Sequence, residues 1–420
     1  MKKLWKYIPP CLSDVQGFQA VIKETDGMGI VDDPSRYKFI PSYAQREAEH
    51  GGRPEHGGRP EHGGRSGHGG RPEHGGRSGS CRHAGAGAAR VVQSDLRNED
   101  IISGTEKKLI GAYENNKEAL NPEFVLLCNA PSSSMISSDL DSAAERIRQD
   151  GIPAAAVNVH GDKDYLYGVK ETLKVLGGLI LEKSETHQPC SVNILGCNII
   201  DWPAENLAVL KELLKAAGWN VISCWGAAGS RVSELKYAAQ ASVNLVVNVS
   251  GLALARWMEQ EFEIPYVVSS ACGSEECAEM LFKLKESAET GRTLPAAAGA
   301  DAGGEADAVV IGEQILANSV RRVLKSRGCG CVRVYSLYEM DKACMEPGDK
   351  KLSGEDEIKR LTSGENLKLI AADPDIRPAA GKDTVWIDLP NSGMSVVDAA
   401  APVLLAAGEL DKYIDKGLGI

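Results

Sequence analysis

The chain has 420 residues, a net charge of −11, 43% hydrophobic residues and only 5% aromatic residues. This length predicts about two to four domains, and the excess of aliphatic over aromatic side chains favours α/β layers over an all-β sandwich. The acidic balance argues against nucleic-acid binding, because neutralising phosphates requires clustered Lys and Arg side chains.

The N-terminal residues begin with lysines but lack the apolar run of a secretory signal peptide. No apolar stretch in the sequence approaches the roughly 20 residues that a membrane span requires. A cytoplasmic location without membrane attachment is therefore expected. In that reducing compartment the eleven cysteines are expected to be free thiols or metal ligands.

A short repeat occupies residues 49–80, where the unit EHGGRP recurs with small variations. Each unit contains a Gly-Gly pair, so ordering it would cost chain entropy without burying apolar surface. The prediction is a flexible, dispensable insertion whose deletion leaves the melting temperature nearly unchanged. Five of the eight histidines lie in the repeat, and weak binding of a metal or a partner is the alternative interpretation.

After the repeat, short apolar runs alternate with segments of helical length. Runs rich in Val, Ile and Leu predict strands that are buried on both faces, as in parallel sheets. The intervening segments carry the start and stop signals of helices. In chain order the sequence predicts strand 124–128, helix 138–150, strand 154–159, helix 164–181, strand 191–196, helix 203–217, strand 220–224, helix 232–241, strand 244–249, helix 252–261, strand 266–269, strand 308–311, helix 314–327 and strands 331–337, 368–372 and 385–389.

These elements fall into three consecutive sets. They predict an α/β fold of three Rossmann-like units with parallel sheets around a central cleft. Ligands in such sheets bind outside the carboxyl ends of the strands, so the cleft is the expected site. The predicted boundaries are residues 1–48 with 81–185 for the first unit, 49–80 for the inserted repeat, 186–293 for the second unit, 294–307 for a linker and 308–420 for the third unit.

Five segments resemble one known family in content and order: residues 9–39, 95–109, 125–144, 193–267 and 383–396. The first resembles a segment in which a Cys precedes a small-residue helix. The last resembles a late strand followed by a Leu-Pro-His motif. Together they resemble the nitrogenase component 1 superfamily over nearly the whole chain outside the repeat. The resemblance implies the same three-unit fold.

The resemblance also implies an iron–sulfur cluster, held between two subunits by cysteines from three places in the first unit. Cys11 matches the first place and Cys128 the third, whereas the second falls on Tyr37. Thiolates dominate as ligands of such clusters, so Cys81 is the candidate for the missing ligand. The alternatives are that Cys81 is an exposed loop thiol and that the other two are ordinary buried cysteines. Cys11 and Cys128 both precede predicted helix starts, where N–H groups and the helix dipole favour a thiolate.

The ligands of the family's FeMo-type cofactor are absent from the matching positions. A Cys is expected in the stretch NLVVNVSG, where this chain has Asn248, and a His is expected at Asn391. The resemblance therefore implies no FeMo-type cofactor and argues against dinitrogen reduction.

Two functions follow from the resemblance. The first is an oxidoreductase subunit that accepts electrons from a separate ATP-dependent P-loop iron–sulfur reductase and reduces an unidentified small molecule or tetrapyrrole. This chain has no P-loop sequence of its own, which agrees with ATP hydrolysis in a partner. The second is a non-catalytic scaffold or partner subunit for cofactor or cluster assembly, which Tyr37 and the missing cofactor ligands favour. Both imply an anaerobe-type protein that forms oligomers with itself or with a component 1-like paralogue.

Overall fold

The structure is a computed structural model, and it describes residues 8, 11–33, 90–136, 138–184, 186–294, 304–363, 367–380, 384–394 and 405–420. The EHGGRP repeat, Tyr37 and Cys81 lie outside the described residues. The described part of the chain contains three separate sheets, and every strand pairing within them is parallel. The predicted α/β fold with three parallel sheets is thus confirmed, while the residue boundaries between the units stay a prediction.

The first sheet has the strand order β2-β1-β3-β4. All five residues of β1 and all five of β3 are buried, as expected of central strands that helices cover on both faces. The strands are β1 (Met28–Asp32), β2 (Val91–Gln93), β3 (Val125–Asn129) and β4 (Ala154–Ala156), and the helices are α1 (Asp14–Lys23), α2 (Asn98–Ser103), α3 (Glu106–Glu114), α4 (Lys117–Leu120), α5 (Pro131–Ser134), α6 (Leu140–Arg148) and α7 (Tyr165–Ile180).

Two glycines allow α1 and α7 to cross at backbone contact. A Cβ atom on Gly168 would lie 1.9 Å from the carbonyl oxygen of Asp14. A Cβ atom on Gly17 would likewise lie 2.0 Å from the carbonyl oxygen of Tyr165. Only glycine fits at this crossing. The close approach of the two helices places Tyr165, the first residue of α7, beside the second and third units.

The second sheet has the order β6-β5-β7-β8, with β5 and β7 at its centre. The apolar ends of these two central strands are fully buried, and the helices pack on both faces. The strands are β5 (Gln188–Leu195), β6 (Asn220–Trp225), β7 (Ala241–Val246) and β8 (Tyr266–Val268), and the helices are α8 (Ala204–Ala216), α9 (Val232–Leu235), α10 (Leu252–Phe262) and α11 (Ser274–Thr290), with 3-10 turns at Ala238–Gln240 and Val249–Gly251.

The third sheet has five strands in the order β11-β10-β9-β12-β13. Its central strands β9 and β12 are buried along their whole length. The strands are β9 (Ala308–Ile311), β10 (Val332–Ser336), β11 (Lys350–Lys351), β12 (Leu369–Ala372) and β13 (Val385–Asp388), and the helices are α12 (Gln314–Ser326), α13 (Glu355–Leu361) and α14 (Glu409–Leu418), with 3-10 turns at Lys342–Cys344 and Pro374–Ala379.

The predicted strands 154–159 and 244–249 end early, at Ala156 and Val246, and one predicted helix is also wrong in its second half. The predicted helix 232–241 ends at Leu235, and β7 begins already at Ala241. The backbone of Ala241 is paired with Gln188 of β5, so sheet pairing overrides the helix preference of the alanines before it. No helix in the described ranges combines the length and the apolar character that crossing a membrane requires.

Polar side chains join the three units at their edges. Arg256 of α10 forms a two-bond ion pair with Asp341 of the third unit, at 2.6 and 2.9 Å. Lys170 of α7 pairs with Glu339 of the third unit at 2.9 Å. These contacts hold the carboxyl ends of the sheets against one another, where the candidate site lies.

Candidate functional site

The site residues follow strands and therefore lie at the carboxyl ends of the sheets. In the second sheet the chain continues from β5 to β6 on one side and then returns to β7 on the other. Such a reversal opens a crevice outside the ends of the two central strands, where ligands bind in open parallel sheets. Asp201 follows β5, Asn248 follows β7, and Asn391 follows β13 of the third sheet. The loops after these three strands form one junction.

Asp201 is the centre of this junction. Its Oδ1 atom accepts a hydrogen bond from the Tyr165 hydroxyl at 2.6 Å and from the Asn391 amide at 3.1 Å. Its Oδ2 atom accepts from the Asn248 amide at 2.8 Å and from the Asn198 amide at 3.0 Å. Because the four donors come from all three units, a single carboxylate ties the units together.

The three asparagines are held so that each presents its NH₂ group to Asp201. The Oδ1 atom of Asn198 accepts from the backbone N–H groups two and three positions later, at 3.0 and 3.2 Å. The Oδ1 atom of Asn248 accepts from the backbone and hydroxyl of Ser250, at 3.0 and 2.7 Å. The Oδ1 atom of Asn391 accepts from the backbone N–H two positions later, at 2.6 Å. The amides therefore cannot flip without losing these bonds, and the site is specific for an acceptor at its centre.

The four groups that donate to Asp201 are all neutral. Desolvation by the surrounding loops raises the pKa of the Asp201 carboxyl, and the hydrogen bonds from Tyr165 and the asparagines oppose that rise. A carboxyl group with a raised pKa exchanges its proton closer to neutral pH, which suits general acid–base chemistry.

A second carboxyl group lies in the loop after β9. Glu313 is 3% exposed, and its two oxygens accept from the backbone N–H groups of Val249 and Leu316, both at 2.9 Å. It caps α12 and at the same time joins the third unit to the second. Burial raises the pKa of Glu313 to about 7, and the charge of Asp201 adds to the rise. The two carboxyls are thus electrostatically linked.

Tyr338 links the junction to Cys11. The Tyr338 ring meets the Tyr165 ring edge-on with centroids 5.0 Å apart, and its hydroxyl donates to Asn391 at 3.4 Å. Burial raises the pKa of Cys11 to about 11, and the charge of Asp164 contributes. The Tyr338 hydroxyl lowers the pKa of the Cys11 thiol.

Cys128 is the more deeply buried of the two candidate thiols. It is fully buried in β3, where it is paired with Val31 of β1. Burial raises the pKa of its thiol well above the ordinary value, and the charges of Asp14, Asp32 and Asp33 add to this effect. Cys11 packs against the same hydrophobic core that contains Cys128.

The expectation that helix starts favour thiolates at Cys11 and Cys128 is wrong for the isolated chain. The pKa of each thiol is raised, because burial outweighs any stabilisation from nearby N–H groups. Cys81 lies outside the described residues. Among the described residues, no group of three or more His, Cys, Asp or Glu side chains is arranged to hold a metal ion.

Sequence reasoning missed Asp201, Tyr165, Asn198 and Glu313. A signal was available for two of them, because Asp201 and Glu313 are acidic residues shortly after apolar strands, where a parallel sheet presents its binding edge. The positions expected to carry cofactor ligands, Asn248 and Asn391, do converge, but on a carboxylate.

Comparisons with known proteins agree with this architecture. The family model described as Nitrogenase component 1 type Oxidoreductase matches residues 74–332. Among solved structures, the chain is similar to nitrogenase Cp1 at pH 6.5, with a TM-score of 0.66, 12% identity and coverage of 100% of this chain and 94% of that one. At this identity the likeness concerns the fold alone.

Two curated relatives are similar over part of their length. The chain is 30% identical over 188 residues to the nitrogenase iron-molybdenum cofactor biosynthesis protein NifE of a Nostoc species, covering 43% of this chain and 38% of the relative. It is 29% identical over 212 residues to a light-independent protochlorophyllide reductase subunit of Leptolyngbya boryana, covering 47% and 41%. The matches thus span about two fifths of the length of these relatives.

Proposed function

Because the chain belongs to the nitrogenase component 1 type oxidoreductase family, we propose that it is a subunit of a nitrogenase-like reductase. It accepts electrons from a separate ATP-dependent P-loop iron–sulfur reductase and reduces a substrate in the central cleft. The observation that carries the proposal is Asp201, a carboxyl with a raised pKa enclosed by donors from all three units. The similarity to a protochlorophyllide reductase subunit supports an organic substrate.

The chemical role of the site is to supply protons. Reducing an organic double bond consumes protons as well as electrons, and Glu313 is the carboxyl that holds a proton near neutral pH, whereas Asp201 stays the acceptor of its four donors. Tyr165, which donates to Oδ1 at 2.6 Å, stabilises the Asp201 carboxylate. Because the charges of Asp201 and Glu313 disfavour each other, the pair retains a proton near neutral pH.

The family implies an iron–sulfur cluster, and the described residues do not complete a site for one. Cys11 and Cys128 are only two thiols, both with raised pKa values, whereas a four-iron cluster takes four thiolates. We propose that any cluster draws further ligands from Cys81 or from a second subunit, either another copy of this chain or a component 1-like paralogue. Oligomerisation is then a condition for binding the cluster.

The alternative is a non-catalytic scaffold or partner subunit for cofactor or cluster assembly. It is supported by Asn248 and Asn391, whose amides are committed to Asp201 at the positions where the family's cofactor ligands are expected. The similarity to NifE, a cofactor biosynthesis protein, points the same way. A scaffold would bind its cargo without accepting electrons.

Electron acceptance separates the two functions. The full chain is purified without oxygen as the wild type and as the Asp201→Asn, Cys11→Ser and Cys128→Ser variants, and iron and acid-labile sulfide are measured. Each preparation is then mixed with MgATP and a reduced P-loop iron–sulfur reductase, and oxidation of the reductase is followed. A reductase subunit contains iron and accepts electrons. Asp201→Asn should retain the iron, because Asp201 is not a proposed ligand, and each Cys variant should lose iron.

Wild-type protein that contains no iron and leaves the reductase reduced would contradict the reductase proposal and support the scaffold. If both Cys variants keep all of the iron, Cys11 and Cys128 are core residues and not ligands. A Cys190→Ser variant serves as the control, because this thiol is exposed and is not a proposed ligand.

A further inference from the structure

A group of buried polar side chains collects at the carboxyl end of the first sheet. Asp32 ends β1 and Asn129 ends β3, and the two residues are directly paired in the register of these parallel strands. Neighbouring strands lie about 4.8 Å apart, and directly paired residues project from the same face of the sheet. Asp32 and Asn129 therefore extend side by side from the face on which Ile30 and Leu127 enter the core.

Three oxygens in this group are buried without a partner. The Ser94 hydroxyl donates to Oδ1 of Asp32 at 2.6 Å, and the Ser132 hydroxyl donates to Oδ1 of Asp33 at 3.2 Å. The Oδ2 atoms of both carboxylates and Oδ1 of Asn129 are buried and accept no hydrogen bond from the described residues. Asp32 is fully buried, and Asn129 is 7% exposed. Buried polar atoms are seldom left unpaired because desolvation is costly, so these oxygens point to a ligand.

The chemistry of this group selects a cation. The side-chain hydrogen bonds that the two aspartates accept come from neutral serine hydroxyls. Burial raises the pKa of the Asp32 carboxyl, and the charge of Asp33 adds to the rise. A buried carboxylate without a countercharge is unfavourable, and a cation between the two would relieve this cost. Carboxylate and amide oxygens are the ligands of hard divalent cations, and Mg²⁺ is typically held by one or two carboxylates together with water.

We propose that the carboxyl end of the first sheet binds one hard divalent cation, Mg²⁺ or Ca²⁺, through Oδ2 of Asp32 and Oδ1 of Asn129. Asp33 contributes its Oδ2 atom directly or through a water molecule, and the two carboxylates balance the charge of the cation. Ser94 orients both aspartates, because its hydroxyl donates to Asp32 and accepts from the backbone N–H of Asp33 at 3.1 Å. Hydrogen bonds of this kind behind the ligands fix their direction. The cation would join the ends of β1 and β3.

The cation site is separate from the thiols considered for a cluster. Cys128 directly precedes Asn129, and successive residues of a strand face opposite sides of the sheet. Cys128 belongs to the core on the side of α1, together with Val15 and Phe18. Asn129 projects from the other face, so the cation neither needs nor replaces a thiolate. The site does not depend on the proposed reductase function, and either proposal can fail without the other.

The test uses the full chain after removal of divalent cations with EDTA, and measures binding of Mg²⁺ and of Ca²⁺ by equilibrium dialysis and their effect on thermal unfolding. Wild type should bind one cation per chain, and a saturating concentration should raise the Tm by roughly 3–10 °C. Asp32→Asn should weaken binding at least about tenfold, because it removes a charged ligand. Asn129→Ala should weaken it as well, which gives a second measurement if Asp32→Asn does not fold. Both ions prefer oxygen, so the histidines of the repeat do not compete.

The matched control is Asp141→Asn, which removes an exposed carboxylate of α6 and should bind the cation as wild type does. The competing occupant is a proton on Asp32, donated to Oδ1 of Asn129. In that case wild type binds neither ion and its Tm does not respond to them, which would overturn the proposal. Equal Tm increases in wild type and Asp32→Asn would also overturn it, because they would show general binding to an acidic surface. Tighter binding of Ca²⁺ than of Mg²⁺ would support a site with more protein ligands, and the reverse a site completed by water.

Discussion

Replacing Glu313 by Gln should change how the stability of the protein depends on pH. Glu313 is buried between the second and third units, and burial raises the pKa of its carboxyl from 4.5 to about 7. A folded-state pKa above the unfolded one means that the folded protein binds the proton more tightly. The proton on Glu313 therefore contributes to the free energy of unfolding. This contribution is fully present below about pH 4.5 and is lost as the pH rises through about 7.

The size of the effect follows from the shift. At about 1.4 kcal/mol per pKa unit, the rise to about 7 corresponds to roughly 3 kcal/mol of unfolding free energy. Gln cannot ionise, so the unfolding free energy of the Glu313→Gln variant does not decrease in this way as the pH rises. Its NH₂ group leaves one of the two backbone N–H donors without an acceptor, which costs about 1–3 kcal/mol at every pH. The variant should therefore be the less stable protein in acid, and the difference should shrink or reverse above neutral pH.

The measurement is urea-induced unfolding of wild type and variant at several values from about pH 5 to about pH 8. The difference in unfolding free energy should change by about 2–3 kcal/mol across this range. Exposed Glu286 provides a matched Glu→Gln control, which should follow the wild type. Parallel curves for wild type and Glu313→Gln would show that Glu313 does not titrate in this range, and the argument from burial would be refuted.

Two further substitutions, each with a control, test close packing and a buried ion pair by the same unfolding assay. Gly168→Ala should lower the unfolding free energy by about 3 kcal/mol, because the new Cβ would lie 1.9 Å from a backbone oxygen of α1. The control is Gly178→Ala in the same helix, where a Cβ meets open space and should raise the unfolding free energy by up to about 1 kcal/mol. Arg321→Met should cost about 3 kcal/mol, because it strands the buried Asp349 carboxylate now held at 2.8 and 2.9 Å. The control Lys412→Ala breaks an exposed ion pair and should cost less than about 0.5 kcal/mol. Equal losses of unfolding free energy in Arg321→Met and Lys412→Ala would contradict this reasoning.

The sequence alone determined the fold class and most of the elements from residue 124 onward. The buried strands there are runs of Val, Ile and Leu that can only be covered on both faces, and that requirement is local and readable. The sequence was less informative for α11, whose buried residues Cys277, Met280 and Leu284 recur at helical spacing in a segment where seven of 17 residues are charged. The motif resemblance identified Asn248 and Asn391 as positions without the expected cofactor ligands, and this too needed no coordinates.

Only the tertiary structure decided what those positions do. Asn248 and Asn391 are 47 and 190 positions from Asp201, and nothing in their neighbours along the chain specifies a common partner. Their convergence depends on three sheets placing their carboxyl ends at one junction. The protonation states were equally hidden, because the pKa of Glu313 or Cys11 depends on how much water the folded chain excludes and on charges from distant segments. Periodicity reports which face of an element is buried, whereas desolvation and long-range hydrogen bonds exist only after those faces have packed.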